Sequence, residues 1–266
     1  MSISPRVLHL SGATIQVFPD AGSAARAAAE QIASVIHEAV RARGRAVLGL
    51  ATGNTPIPIY ERLVALYRAG RLGFENVTTY NLDEYYPIAP THPNSYRKYM
   101  QEHLFGHVSI APNRAHVLDG TVPEAFASSH AVEYDRWIEA DGGLDAQLLG
   151  IGRNGHIGFN EPSDLPVEEA RALPTRLVDL HPVTIADAAR DFGGEDRVIR
   201  RALTMGVGPI LAARSIVVVA LGASKAEAVG QALAGPMTGR VPASLLQLTP
   251  GKVGWFLDED AAKNLL

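Results

Sequence analysis

The chain has 266 residues, of which 47% are hydrophobic and 20% charged, and its net charge at pH 7 is −4. This composition is typical of a folded globular protein, and the slightly acidic balance argues against partners such as nucleic acid or an anionic membrane. The lack of cysteine excludes disulfides, a thiolate nucleophile and cysteine metal sites. No apolar run is long enough for a membrane span and no export signal is visible, so we expect a cytoplasmic protein.

Strand and helix patterns alternate along the chain. Strands are predicted at 14–18, 46–51, 77–82, 146–151, 216–221 and 253–257. Helices are predicted at 21–42, after the turn at 52–56, and at 94–104, 123–140 and 225–233. This order predicts a single α/β domain over residues 1–266, Rossmann-like, with a mostly parallel, doubly wound sheet and helices on both faces. The proline-punctuated segment 162–182 is predicted to be a lid loop within that domain.

Polar residues cluster directly after four of the predicted strands. Parallel strands joined by right-handed crossovers bring these loops to one edge of the sheet, where ligands bind in such folds. We therefore expect one site to be built from them. The four clusters are Asn54-Thr55, Asp83-Glu84, Asn154-Gly155-His156 and Ser224-Lys225.

The first cluster lies in the turn Thr52-Gly53-Asn54-Thr55-Pro56. Gly53 can adopt positive φ, Thr55 is the predicted N-cap and Pro56 the predicted first helical residue. Exposed amides and the helix dipole favour an anion such as phosphate at this turn. Taken alone, the segment is more simply interpreted as a capped turn. Neither the Walker motif GxxxxGK(S/T) nor the dinucleotide-binding motif GxGxxG is present.

The second cluster places two carboxylates side by side at a strand end, among tyrosines. Alternation along a strand directs Asp83 and Glu84 to different sides, so we expect only one of them to face a pocket. A carboxylate in a partly apolar cleft can act as a general base. A polar loop in which either residue caps another group is an equally good interpretation of the pattern.

The third cluster belongs to the most distinctive segment, 149–162, in which four glycines fall within nine residues. This loop holds His156 and Glu161 five positions apart. A histidine oriented by a carboxylate suits proton transfer in sugar or carbonyl chemistry. A structural histidine is the weaker alternative.

Lys225 and Arg190 could bind an anion. Taken alone, Lys225 is more simply a solvated lysine, and Arg190 is more simply part of a surface ion pair.

Together these segments resemble the glucosamine-6-phosphate deaminase (glucosamine-6-phosphate isomerase) family. The string GHIGFNEP at 155–162 and the upstream string LDEY at 82–85 carry the resemblance, which extends over most of the chain. It implies conversion of an amino-sugar phosphate to fructose 6-phosphate and ammonia, with no cofactor and no metal. The small-molecule partner implied is that amino-sugar phosphate.

The resemblance also implies roles for individual residues. Asp83 resembles the base that moves a proton between C2 and C1, and His156 resembles the group that opens the ring, with Glu161 orienting it. Asn154 occupies a position where some members of the family have aspartate and others asparagine, and an asparagine there can only form hydrogen bonds. The residues that resemble the phosphate-binding set are Thr52, Gly53, Asn54, Thr55, Arg190 and Lys225.

Two departures from the family pattern concern regulation and assembly. Segment 163–171 lacks the serine-arginine-threonine string of allosteric members, and the sequence ends soon after Asp258. We therefore expect a monomer or small homo-oligomer rather than an allosteric hexamer.

Three alternative functions remain open from the sequence. A galactosamine-6-phosphate deaminase would differ only in the residue that recognises one hydroxyl of the sugar, because the two substrates are epimers. A 6-phosphogluconolactonase usually has alanine-serine-leucine-phenylalanine where this chain has residues 157–160, and aspartate-glutamate-arginine at 83–85. A non-catalytic sugar-phosphate sensor of a transcription regulator would need a DNA-binding module, for which few residues precede the first predicted strand.

Overall fold

The computed structural model describes residues 4–265. Its strands are β1 (Arg6–Leu10), β2 (Ala13–Phe18), β3 (Ala46–Leu50), β4 (Val77–Asn81), β5 (Asp83–Tyr86), β6 (Ala115–His116), β7 (Ala146–Leu149), β8 (Arg176–Asp179), β9 (Arg201–Thr204), β10 (Ile216–Ala220) and β11 (Val253–Asp258). Its α-helices are α1 (Ala21–Arg43), α2 (Ile57–Arg68), α3 (Tyr96–His103), α4 (Glu124–Ala140), α5 (Val167–Ala170), α6 (Pro182–Phe192), α7 (Val207–Ala212), α8 (Ala226–Ala234) and α9 (Glu259–Ala262). None of these helices is both long and apolar enough to cross a membrane.

Eight strands form the main sheet in the order β1-β2-β11-β10-β7-β3-β4-β6. All neighbouring pairs are parallel except β1 with β2, so the mostly parallel α/β fold predicted from the sequence is confirmed. From β3 the chain moves outward to β4 and β6, and from β7 it moves the other way to β10 and β11. The strand order therefore reverses between β3 and β7, and this reversal is the usual ligand-binding place of such sheets.

The sheet core follows from continuous apolar strands. Every residue of β3 and β10 is buried, as expected for central parallel strands covered on both faces. The long helix α1 packs an alanine-rich face on this core, and the side chain of Asp20 caps it by accepting from the amide of Ser23 at 2.7 Å. Within β3, Gly49 has no space for a side chain because the side chain of Gln147 from β7 occupies it.

A second sheet, which the sequence patterns did not predict, lies beside the first. Its three antiparallel strands have the order β5-β9-β8, and β5 begins at Asp83, paired with Thr204. Segment 162–182, predicted as a lid loop, contains α5 and β8, and β8 is hydrogen-bonded to β9. Part of that segment is therefore ordered sheet, and its closing over a site stays a prediction.

The beginning of α2 differs slightly from the sequence prediction. Pro56 is the N-cap residue and Ile57 the first helical residue, and no side chain caps the helix. The prediction of Thr55 as a capping residue was therefore wrong. The side chain of Thr55 therefore makes no capping hydrogen bond to α2.

Candidate active site

A cleft of about 240 Å³ opens at the carboxyl ends of four adjacent parallel strands, β10, β7, β3 and β4. The loops after these strands are the four that carry the polar clusters of the sequence. They supply one side of the cleft, which we call the sheet side, and helix α6 supplies the other, which we call the helix side. The predicted site residues in the lining are Thr52, Gly53, Asn54, Thr55, Asp83, His156 and Lys225.

The turn after β3 presents its backbone to the cleft. Gly53 has φ +102°, a conformation that a residue with a side chain rarely adopts, and Asn54 beside it is exposed. The hydroxyl of Tyr99 donates to the carbonyl of Gly53 at 2.7 Å and fixes the turn from behind. The turn therefore leaves backbone groups at the mouth of the cleft, close to the start of α2, where a helix attracts anions.

Asp83 and Glu84 face different surroundings, as strand alternation requires. Glu84 is buried and accepts hydrogen bonds from Ser95 Oγ (2.7 Å) and from the amides of Tyr96 (2.9 Å) and Arg97 (3.1 Å). Its carboxylate therefore holds the beginning of α3 and is not directed to the cleft.

Asp83, in contrast, lines the cleft although it is only 5% exposed. Its Oδ1 is buried without a hydrogen-bond partner among residues 4–265. Burial, with a smaller effect of the neighbouring Glu84 carboxylate, raises the pKa of Asp83 to about 8. A carboxylate with such a pKa can both accept and return a proton near neutral pH.

His156 and Glu161 form a pair across the glycine-rich loop, with His156 Nδ1 3.4 Å from Glu161 Oε2. Asn154 joins them, because its Nδ2 donates to Glu161 Oε2 at 3.1 Å and its Oδ1 accepts from the amide of His156 at 3.2 Å. A Cβ at Gly152 would lie 2.3 Å from the imidazole ring, so glycine is required there. Asn154 and Glu161 thus hold His156 from outside the cleft lining, whereas His156 itself lines the cleft.

The charge state of Glu161 follows from this arrangement. Burial raises the pKa of its carboxyl, but hydrogen bonding and charge attraction by His156, with help from Thr184 and Asn154, outweigh burial and lower the pKa to about 2. Glu161 is therefore a fixed negative charge at any physiological pH. Such a carboxylate keeps a proton on Nδ1 of His156 and leaves Nε2 for the contents of the cleft.

The two predicted cationic ligands have different positions. Lys225 lines the cleft, and burial lowers its pKa while the nearby Asp187 carboxylate opposes that shift. Its loop is held by Asp258, whose carboxylate accepts from the amide of Gly222 at 2.9 and 3.0 Å. Arg190 is exposed on α6 and is not part of the lining, to which the same helix contributes Asp187 and Asp191.

Several lining residues were not predicted. Tyr85, Tyr96 and Phe159 form an aromatic wall, with ring centroids 5.0 to 6.0 Å apart. The tyrosines next to Asp83 were a usable signal for that wall. The sequence held no usable signal for Thr184, because α6 was not predicted. Its Oγ1 lies 3.3 Å from His156 Nδ1. Among residues 4–265 no group of three or more side chains suited to a metal ion is found.

Comparison with known proteins identifies the family. The family model described as glucosamine-6-phosphate isomerases/6-phosphogluconolactonase matches residues 19–255. The chain belongs to this family. Within the glucosamine-6-phosphate isomerase/6-phosphogluconolactonase family it is similar to proteins named glucosamine-6-phosphate deaminase. The one from Rhodopirellula baltica is 47% identical over 94% of this chain and 95% of its own, and deaminase 2 of Bacillus subtilis is 45% identical over 81% and 84%.

Solved structures of the family show the same architecture. One described as a monomeric glucosamine-6-phosphate deaminase of the NagB superfamily has a TM-score of 0.87 at 37% identity, covering 94% of this chain and 99% of its own. The 6-phosphogluconolactonase of Trypanosoma brucei has a TM-score of 0.75 at 19% identity, covering 98% and 100%. The second likeness is evidence of the shared fold alone.

Proposed function

We propose that this chain converts glucosamine 6-phosphate to fructose 6-phosphate and ammonia. The observation that carries the proposal is that one cleft contains the buried Asp83 carboxylate, the His156–Glu161 pair and the backbone turn at 52–55. Ring opening, proton transfer between carbons and phosphate binding each need one of these three groups. The activity named for relatives at 45–47% identity supports the same conclusion.

In this proposal His156 opens the pyranose ring. Its imidazole takes the proton of the C1 hydroxyl and returns a proton to the ring oxygen as the bond between C1 and that oxygen breaks, which leaves the open-chain aldehyde. Glu161 and Thr184 occupy Nδ1, at 3.4 and 3.3 Å, so Nε2 is the nitrogen available to the sugar. The ionised Glu161 stabilises the imidazolium that forms while the proton is carried.

Asp83 then moves a proton from C2 to C1. Removal of the C2 proton by Asp83, while a proton of the substrate's own ammonium group passes to O1, gives an enolamine. Return of the Asp83 proton to C1 then gives the protonated imine of the ketose. Water adds to the imine carbon at C2, the carbon–nitrogen bond breaks, and ammonia and fructose 6-phosphate leave. Burial of Asp83 suits it to this role, because a pKa of about 8 makes its ionised form a stronger base toward the C2 proton than an ordinary carboxylate.

The phosphate of the substrate is proposed to bind at the turn formed by residues 52–55, with Lys225 as a point charge beside it. Arg190 is the third proposed ligand, and because it is exposed on α6 outside the cleft lining, its side chain has to turn toward the phosphate to bind it. Phosphate binding remote from C1 and C2 positions the reacting carbons between Asp83 and His156.

The proposal extends to the setting in which the enzyme works. A phosphorylated sugar is retained inside cells, so we propose a cytoplasmic enzyme with no membrane or nucleic-acid partner. We also propose a monomer or small homo-oligomer, for which the similarity to a deaminase described as monomeric is the support.

The test is ammonia release from glucosamine 6-phosphate and galactosamine 6-phosphate side by side, in the presence of a chelator, with Asp83→Asn as the inactive control. We expect release from glucosamine 6-phosphate and formation of an equal amount of fructose 6-phosphate. Release from the galactosamine epimer alone would change the substrate but keep the reaction. No ammonia from either, with inorganic phosphate still bound, would overturn the proposed function.

A further inference from the structure

An ion pair joins the glycine-rich loop to α6 beside the cleft. Arg153 Nε donates to Asp187 Oδ2 at 3.0 Å, and Arg153 Nη2 contacts Asp187 Oδ1, so that the guanidinium engages both carboxylate oxygens. Arg153 precedes His156 by three residues, and Asp187 follows Thr184 by three, about one helical turn. The His156–Thr184 contact therefore connects the same two segments a short distance away.

The carboxylate of this pair stands in an unexpected place. Asp187 lines the cleft together with Lys225. Lys225 marks the end of the cleft that is proposed to receive the dianionic phosphate. A free carboxylate there would repel the phosphate and would also engage the lysine that is meant to bind it. Arg153 itself does not line the cleft; its side chain is 49% exposed and approaches Asp187 from outside.

We propose that Arg153 is a positioning residue of the phosphate end: it binds Asp187, neutralises its charge and thereby keeps that end of the cleft favourable to a phosphate ester. The inference rests on the proposed function only for the chemical class of the ligand, a phosphate. It makes two specific claims. Arg153 acts through Asp187 rather than by touching the phosphate, and removal of the Asp187 charge makes Arg153 dispensable.

The experiment measures the binding of inorganic phosphate to the full chain by isothermal titration calorimetry at low ionic strength. The variants are Arg153→Gln, Asp187→Asn and the double variant. We expect Arg153→Gln to weaken phosphate binding by about fivefold or more, and Asp187→Asn to bind at least as tightly as the unaltered chain. The double variant should return to within about twofold of Asp187→Asn.

Arg171→Gln is the matched control, because Arg171 is an exposed arginine on the segment after α5 that pairs only with the exposed Glu168 among the described ion pairs. It removes the same charge without touching the cleft wall and should leave phosphate binding unchanged. Because the Arg153–Asp187 and Arg171–Glu168 pairs are both exposed, neither substitution should change the free energy of unfolding much.

Three results with the variants would overturn the inference. They are unchanged binding in Arg153→Gln, an equal loss in Arg171→Gln, and a double variant that stays as weak as Arg153→Gln, which would make Arg153 a direct ligand. Absence of phosphate binding in the unaltered chain would overturn it together with the proposed role of Lys225. Phosphate binding that follows the expected pattern without ammonia release would leave it standing and overturn only the proposed reaction.

Discussion

The two sides of the cleft are built in different ways. The sheet side consists of the loops that follow β3, β4, β7 and β10. These four strands are adjacent, parallel and buried. The helix side consists of α6, an eleven-residue helix with only two buried residues, Thr184 and Ile185. A group on the sheet side is therefore positioned by the core of the protein, whereas a group on α6 is positioned by few contacts. We expect the chemistry to depend on the sheet side and α6 to modulate it.

The largest effect is expected from Asp83→Asn on the sheet side. The amide cannot accept a proton from C2, so kcat for ammonia release should fall by about 10³-fold. Inorganic phosphate should still bind, because the proposed phosphate ligands are the turn at 52–55 and Lys225 rather than Asp83. The neighbouring Glu84→Gln is the comparison: it should lower stability by about 1–3 kcal/mol through weakened contacts to α3, with a far smaller loss of kcat. A kcat for Asp83→Asn within tenfold of normal would remove it as the base.

A loss of about 10²-fold in kcat is expected for Glu161→Gln. The neutral amide keeps the size of the side chain but removes the charge that orients and stabilises the protonated His156, 3.4 Å away. Glu168→Gln, on the exposed surface of α5, makes the same chemical change outside the cleft and should be silent. A change of less than threefold for Glu161→Gln would mean that the pair is merely structural.

Lys225→Ala should raise KM by about tenfold with little change in kcat. Loss of one hydrogen bond to a charged group weakens binding by about 1.5–3 kcal/mol, and 1.4 kcal/mol corresponds to a factor of ten. Lys252→Ala, which removes an exposed lysine elsewhere, is the control. Steady-state kinetics separate the two parameters, and an unchanged KM would exclude Lys225 from phosphate binding.

The sequence predicted the sheet side better than the helix side, for a physical reason. Buried parallel strands are short apolar runs, and the polar residues that follow them, such as Asp83 and His156, stand out against that background. The strands of the second sheet are short and β8 is only half-buried, so their patterns were too weak to detect. Helix α6 lies between them, and the contact of Thr184 with His156 depends on a pairing 28 residues apart that no local pattern encodes.

The same difference explains why Asp83 could be predicted but its pKa could not. The shift depends on how completely the surrounding residues bury the carboxyl, with a smaller effect of the Glu84 charge, and burial is a property of packing. Likewise, the glycine at 152 is visible in the sequence, but its purpose, which is to make room for the imidazole of His156, appears only in the structure.

The burial of Asp83 should make stability depend on pH. The folded chain keeps the Asp83 proton up to about pH 8, whereas the unfolded chain releases it near about pH 3.9. Between these values the unfolded chain binds fewer protons, so this group's contribution to stability falls as pH rises. Asp83→Asn should therefore raise Tm by about 5 °C or more at pH 9 and by less at pH 5. Asp164→Asn, at an exposed position, should show no such pH-dependent gain.

The smallest effect is expected on the helix side, from Thr184→Val. The valine keeps the shape but cannot hydrogen-bond to His156 Nδ1, which Glu161 still holds, so kcat should fall by only about threefold. Thr184→Ser, which retains the hydroxyl, should restore most of that loss. If Thr184→Val instead cost as much as Glu161→Gln, α6 would be a full partner in orienting the imidazole. The division of labour between the two sides of the cleft would then be wrong, because a helix with two buried residues would be setting the chemistry.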